Sequence, residues 1–177
     1  MAGSVKLDKF LLQAIDGGPC VAIRHETPSP LLPPAEVEFR TVDGVHVKTL
    51  DALFDTFAKV WDFPPWFGHN YAAFDDFMRD LDNLTNKALE KPPARAYLTE
   101  VTHSHLLLVE EPEVFSWFAN KMAFYRNHYR DELNPPAAFG LLLSAPGDKL
   151  PEVRQRWVSV GVQVAEVDVE PPPDATG

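Results

Sequence analysis

The sequence predicts an α/β fold built on a parallel sheet, and three observations lead there. Two short apolar runs, Leu106-Leu107-Leu108-Val109 and Phe139-Gly140-Leu141-Leu142-Leu143, have the unbroken character of strands covered on both faces. The segments around them carry apolar residues at helical spacing, so each must lay one face on a sheet. From Val37 onward the order is strand, helices, strand, helix, strand, and parallel pairing through right-handed crossovers follows from it.

Taken in order, Leu7, Phe10, Leu11, Ala14 and Ile15 mark a short helix that stops at Gly17-Gly18. Cys20 to Ile23 reads as a brief strand, and Pro28 to Pro34 as a connector with few donors to offer a sheet. Val37 to Val42 alternates apolar and polar up to a turn at Asp43-Gly44. Thr49 then caps a helix whose inward face is Leu50, Leu53, Phe54, Phe57, Val60 and Trp61. The prolines of Phe63-Pro64-Pro65-Trp66-Phe67-Gly68 interrupt the pattern, and Asn70 caps a second helix with Tyr71, Phe74, Phe77, Met78 and Leu81 as its stripe. Residues 83–104 read as an irregular surface excursion, locally basic through Lys87, Lys91 and Arg95. Pro112 opens a long helix with Val114, Phe115, Phe118, Met122 and Tyr125 inward, ending before Pro135. Trp157 to Val169 alternates as an edge strand would, ahead of an acidic proline tail. The expected organisation is one domain over 1–177: a core at about 38–145, an N-terminal helix and strand arm over 1–37, and an extension over 146–177 carrying the edge strand.

Composition narrows the function. The chain has 177 residues with 45% hydrophobic content, enough for one sizeable core. Asp and Glu number 26 against 16 Lys and Arg, a net charge of −10. That balance disfavours direct contact with nucleic acid or anionic membranes and suits a basic protein partner. Cys20 is the single cysteine, so a thiolate zinc cluster is excluded and a reducing, cytoplasmic setting is expected. Nothing in the chain reads as a leader or a membrane span.

Catalytic signatures are weak. His103-Ser104-His105 would place two imidazoles on one side of a strand, but two ligands without a third do not make a metal site. The six His and Cys20 form no convincing nucleophile and base pair, and no Gly-rich phosphate loop is present. Neither a cofactor nor a small-molecule substrate is expected, and the chain does not read as an enzyme. Glu110, Glu111 and Glu113 are explained by the positive end of the helix they precede, with partner contact as the other reading.

One stretch is far more specific. Val42-Asp43-Gly44-Val45-His46-Val47, then Thr49-Leu50-Asp51-Ala52-Leu53, then Phe63-Pro64-Pro65-Trp66-Phe67-Gly68-His69-Asn70-Tyr71-Ala72-Ala73-Phe74-Asp75-Asp76, resembles the barstar family of ribonuclease inhibitors, without gaps from about 42 to 84. The resemblance implies three parallel strands with helices packed on them, and an inhibitor that pushes a helix and the loop before it into a nuclease cleft. The physical logic is direct: a cleft lined with Lys, Arg and His to hold phosphate accepts a rigid carboxylate in its place, and an aromatic can cover the rest. By that resemblance Asp76 is the cleft-inserting carboxylate, a residue that in barstar itself is a standard example of an interface hot spot. Trp66 is the loop aromatic, and Gly68 and Asn70 are the turn and cap that aim the loop. The implied partner is a basic ribonuclease or nuclease toxin, and the implied surface comprises Trp66, His69, Asn70, Ala72, Asp75, Asp76, Arg79 and Asp80.

At one position the chain departs: Ala72 stands where the family usually has a second aspartate. A missing charge-assisted contact of that kind costs a few kcal/mol, on the order of 10²-fold in affinity, so a nuclease other than barnase is the expected target. Asp75 lies roughly 100° around the helix from Asp76 and substitutes only if the partner docks differently. Without the family pattern, Asp76 would read as part of a solvated helix face, where Asp75, Arg79 and Asp80 surround it and ordinary i,i+3 or i,i+4 pairs can form, and Trp66 reads equally as a core anchor or a contact residue.

Overall fold

In the computed structural model, which describes residues 3–168, five strands form one parallel sheet. They are β1 (Val21–His25), β2 (Val37–Asp43), β3 (Ala96–Thr102), β4 (Ala138–Ala145) and β5 (Val164–Glu166), in the spatial order β2-β3-β4-β1-β5. The three-stranded core is β2-β3-β4, and the short C-terminal strand takes the edge as expected. The segment read as an N-terminal arm does more than decorate. It places β1 between β4 and β5, with Val21 to His25 paired to Leu141 to Ala145. The acidic proline tail lies outside the described residues.

Among the described residues there are also five α-helices: α1 (Leu7–Ile15), α2 (Leu50–Val60), α3 (Tyr71–Met78), α4 (Pro112–Asp131) and α5 (Leu150–Val158). Strand alternation assigns them to faces. Tyr97 and Phe139, paired across β3 and β4, meet Tyr129 of α4, while Thr99 accepts a 3.0 Å hydrogen bond from the Trp61 indole at the end of α2. Trp157 of α5 packs on Phe115 and Phe118 of α4. These three helices therefore share one face, where the aromatic core sits. On the other face α1 lies over Gly140, where a side chain would come within 3.2 Å of Phe10 and Leu98.

Three expectations about elements are corrected. The stretch 83–104, read as a surface excursion, contains β3, which is buried along almost its whole length and central to the sheet. Its polar residues masked it, because Thr99 and Glu100 find their partners at distant positions, Trp61 and Arg24. Leu106 to Val109, read as a strand, is instead a turn after β3. Leu107 and Leu108 are buried there because the turn closes onto the start of α2, with Leu108 N–H donating to Val47 O at 2.8 Å. Trp157 to Val169, read as one long strand, is over its described residues the end of α5, a turn, the three residues of β5 and a short stretch after it, while Val169 itself lies outside the described residues.

Two polar clusters fasten the additions. Arg24 of β1 donates to Glu100 of β3 at 2.7 Å, and the Ser144 hydroxyl of β4 donates to the same carboxylate oxygen at 2.6 Å. Both charged side chains are buried, beneath a strap of residues 26–31 that leaves a cavity of about 320 Å³. At the sheet edge, Glu38 takes Lys91 at 3.0 Å and Arg40 at 3.1 Å, which ties residues 83–93 to β2. Burial works against ionisation of Glu38, but Lys91 and Arg40 outweigh it and hold the carboxyl below its ordinary range.

Removing one member of the buried pair strands the other charge, so Arg24→Ala is expected to destabilise the fold by about 3–5 kcal/mol, whereas Arg24→Met with Glu100→Leu costs much less, measured by urea unfolding. For Glu38 the folded-state pKa is depressed, so its contribution is whole above the unfolded value of about 4.3 and is lost as pH falls through the folded one. Glu38→Gln should therefore lower stability at pH 7, by under about 1 kcal/mol for so open a cluster, and make no difference at pH 2; urea titrations at the two pH values check it.

Candidate functional site

Helix α3 and the loop before it stand on a floor of aromatic rings. Phe54 and Phe57 of α2 meet Phe74 of α3 at 5.3 and 5.7 Å between ring centres, and Phe63 and Phe67 of the loop pack edge-to-face at 5.2 Å. Pro64 and Pro65 prevent α2 from continuing, and Phe63 N–H closes back on Ala58 O at 2.9 Å. With Phe63 and Phe67 turned down, Trp66 is left facing out: its side chain is 78% exposed. The reading of this residue as a core anchor is therefore corrected: its indole lies at the surface.

The turn into α3 is held by short polar contacts. Asn70 Oδ1 accepts from Ala73 N–H at 2.8 Å and Asn70 Nδ2 donates to Gly68 O at 3.3 Å, so one side chain caps the helix and closes the loop. A β-carbon at Gly68 would lie 2.8 Å from Asn70 Nδ2, so a larger residue there would push the capping amide aside. His69 takes a left-handed backbone conformation, stacks on Phe67 at 4.7 Å, and places Nε2 2.9 Å from the Asp55 carboxylate of α2.

The two adjacent aspartates have opposite fates. Asp75, 15% exposed, turns toward α4, where it accepts a 2.5 Å hydrogen bond from the Tyr125 hydroxyl and pairs with Lys121 at 3.0 Å. Burial, and after it the Asp75 carboxylate, push the Tyr125 hydroxyl's pKa far above its ordinary value, so it remains a donor. Asp76, one helical step on, is 72% exposed and paired with Arg79 Nη2 at 2.9 Å. Ala72 precedes Asp76 by four residues and is exposed on the same side. Asp80 follows at the helix end and accepts from the Asn83 amide, and a cavity of about 540 Å³ opens beside Arg79 and Asp80.

The sequence-predicted residues therefore divide. Trp66, His69, Asn70, Ala72 and Asp76 share the exposed turn and the outer face of α3, with Arg79 and Asp80 at its end. Asp75 does not join them: both of its oxygens are engaged by α4. Sequence reasoning missed Lys121, Trp117, whose ring meets Tyr71 at 4.4 Å, and Asp55. The helical wheel held a partial signal, since Asp75 borders the stripe of Phe74 and Met78 while Asp76 lies opposite it. Of the two imidazoles weighed as metal ligands, His103 places Nδ1 2.9 Å from Asp43, while the buried Nδ1 of His105 has no hydrogen-bond partner among the described residues. Among the described residues no three His, Cys, Asp or Glu side chains are arranged to hold a metal ion, and no helix is long and apolar enough to cross a membrane.

A family model described as Barstar (barnase inhibitor) matches residues 37–140, more than half of the chain. The chain belongs to the barstar family. The match takes in β2, the two helices of the site, β3, α4 and the start of β4; α1, β1, α5 and β5 lie outside it. Neither a curated protein nor a solved structure gives a match.

The inward network is expected to set the rigidity of α3. Tyr125→Phe should cost about 1–2 kcal/mol by leaving a half-buried carboxylate short of a donor. Chemical denaturation checks the magnitude, and faster amide exchange at the later residues of α3, Phe74 to Met78, checks the location.

Proposed function

We propose that this chain inhibits a basic ribonuclease by covering its catalytic cleft with the outer face of α3 and the loop at Trp66. The observation that carries the reading is the Asp76 carboxylate, exposed opposite the buried stripe of a helix that follows a loop whose indole, Trp66, is exposed as well. A cleft built to bind phosphate offers cations to such a carboxylate, and an indole of low conformational entropy supplies contact area beside it. The net charge of −10 steers a basic protein toward this surface. On this reading the chain is an inhibitor acting inside the cell, an immunity protein against the cell's own or a neighbour's nuclease toxin, and not an enzyme; membership of the barstar family supports its inhibitory part.

A second reading, a barstar-fold module that binds some other basic protein without inhibiting a nuclease, is favoured by Ala72, which takes one carboxylate out of the expected surface. Capture distinguishes the two. The purified chain, as wild type and as Asp76→Ala, is used to pull down partners from extracts and culture medium of its natural host, and ribonuclease activity is assayed on what is retained and in its presence.

The wild-type chain should retain a ribonuclease and suppress its activity, and Asp76→Ala should fold normally yet bind more weakly by about 2–5 kcal/mol. Equal capture by both proteins removes Asp76 from the account, and capture of a protein without nuclease activity favours the second reading.

A further inference from the structure

Any group that approaches the Asp76 carboxylate also meets a cation. Arg79 Nη2 lies 2.9 Å from Asp76 Oδ1, and this guanidinium is not free to swing away. Its Nε donates to Asp75 O at 3.1 Å, its plane sits over the Phe124 ring at 4.8 Å, and its side chain is only 31% exposed. Past it the surface stays mixed in sign: the adjoining cavity is lined by Asp80, Asp82 and Glu132 as well as by Lys87, Lys91 and Arg79 itself. The outer side of α3 thus reads, from Ala72 through Asp76 and Arg79 to Asp80, as neutral, negative, positive, negative.

A purely cationic cleft fits this surface poorly. It would gain one carboxylate and bury Arg79 against its own charges, and like charges brought together at an interface cost several kcal/mol. We propose that Arg79 is a specificity-determining contact, and that the target of this chain sets a carboxylate beside the cation that receives Asp76, so that two ion pairs form side by side. This rests on the reading of α3 as the inhibitory face. The chemistry is compatible with a nuclease, because a cleft that cleaves by general acid and base catalysis can hold a carboxylate base among its phosphate-binding cations. It also gives the absent carboxylate at position 72 a physical sense: the surface has exchanged one anion for a pattern of both signs, which excludes partners that offer positive charge alone.

The sign of one substitution decides the matter. Binding of the ribonuclease retained by the wild-type chain is titrated against wild type, Asp76→Ala, Arg79→Ala and the double variant, with Arg79→Gln included because it removes the charge while keeping a polar side chain, and thermal melts confirm that each is folded. Arg79→Ala and Arg79→Gln should weaken binding about tenfold or more, and Arg79→Ala should still weaken it when Asp76 is already alanine, since Arg79 has its own contact with the partner. Tighter binding on loss of Arg79 would mean a bare cationic cleft and overturns the proposal. Disappearance of the effect in the Asp76→Ala background would reduce Arg79 to a support for Asp76 and overturns it equally. In both cases Asp76→Ala alone still weakens binding, so the inhibitory reading survives; no effect of Asp76→Ala, or retention of no ribonuclease, removes both together.

Discussion

A helix can present a carboxylate stiffly only if its rotation about its own axis is fixed, and in this protein that rotation is fixed by Asp75. Its two oxygens are engaged by Tyr125 and Lys121 of α4, so one side of α3 is fastened to the longest helix of the fold. The next residue lies about 100° further round and has nowhere to go but outward. Phe74, buried against Phe54 and Phe57, holds the same rotation from below. Asp76 is thus exposed as a consequence of its neighbours' burial, and its direction is settled before any partner arrives, which reduces the ordering cost of binding.

The same logic extends to the loop and the sheet. Trp66 is exposed because Phe63 and Phe67 on either side of it are committed to the aromatic floor, and Asn70 ties the loop's closure to the start of the helix. Beneath them α2 and α4 rest on a sheet that the N-terminal segment widens. Insertion of β1 converts β4 into an interior strand and leaves only the three-residue β5 at that edge, and short edges resist unwanted pairing. The buried Arg24, Glu100 and Ser144 link three strands across this junction, two of them contributed by or next to residues that lie outside the family match.

Much of this was legible in the sequence where local rules dominate. Thr49 and Asn70 announced the two helices of the site and do cap them, Pro112 opens α4, and the spacing of Leu53, Phe54, Phe57 and Trp61 gave the buried face of α2. What escaped was decided by partners remote in sequence. Thr99 and Glu100 hid a central strand because Trp61 and Arg24 satisfy them across 38 and 76 residues. Leu107 and Leu108 imitated a strand because a turn can also be buried. Asp75 and Asp76 are adjacent, the apolar stripe of the helix separates them only in part, and the partners that turn Asp75 inward, Tyr125 and Lys121, are about 50 residues away.

The proposed inhibition requires that a nuclease rest on the outer surface from Trp66 to Asp80. Hydrogen–deuterium exchange on the full chain, alone and saturated with the ribonuclease it retains, tests this with no substitution at all. The account requires new protection concentrated in the loop and in α3, with β1 and the 26–31 strap unchanged. Protection confined to those added segments, with residues 66–80 exchanging as freely as before, would contradict it.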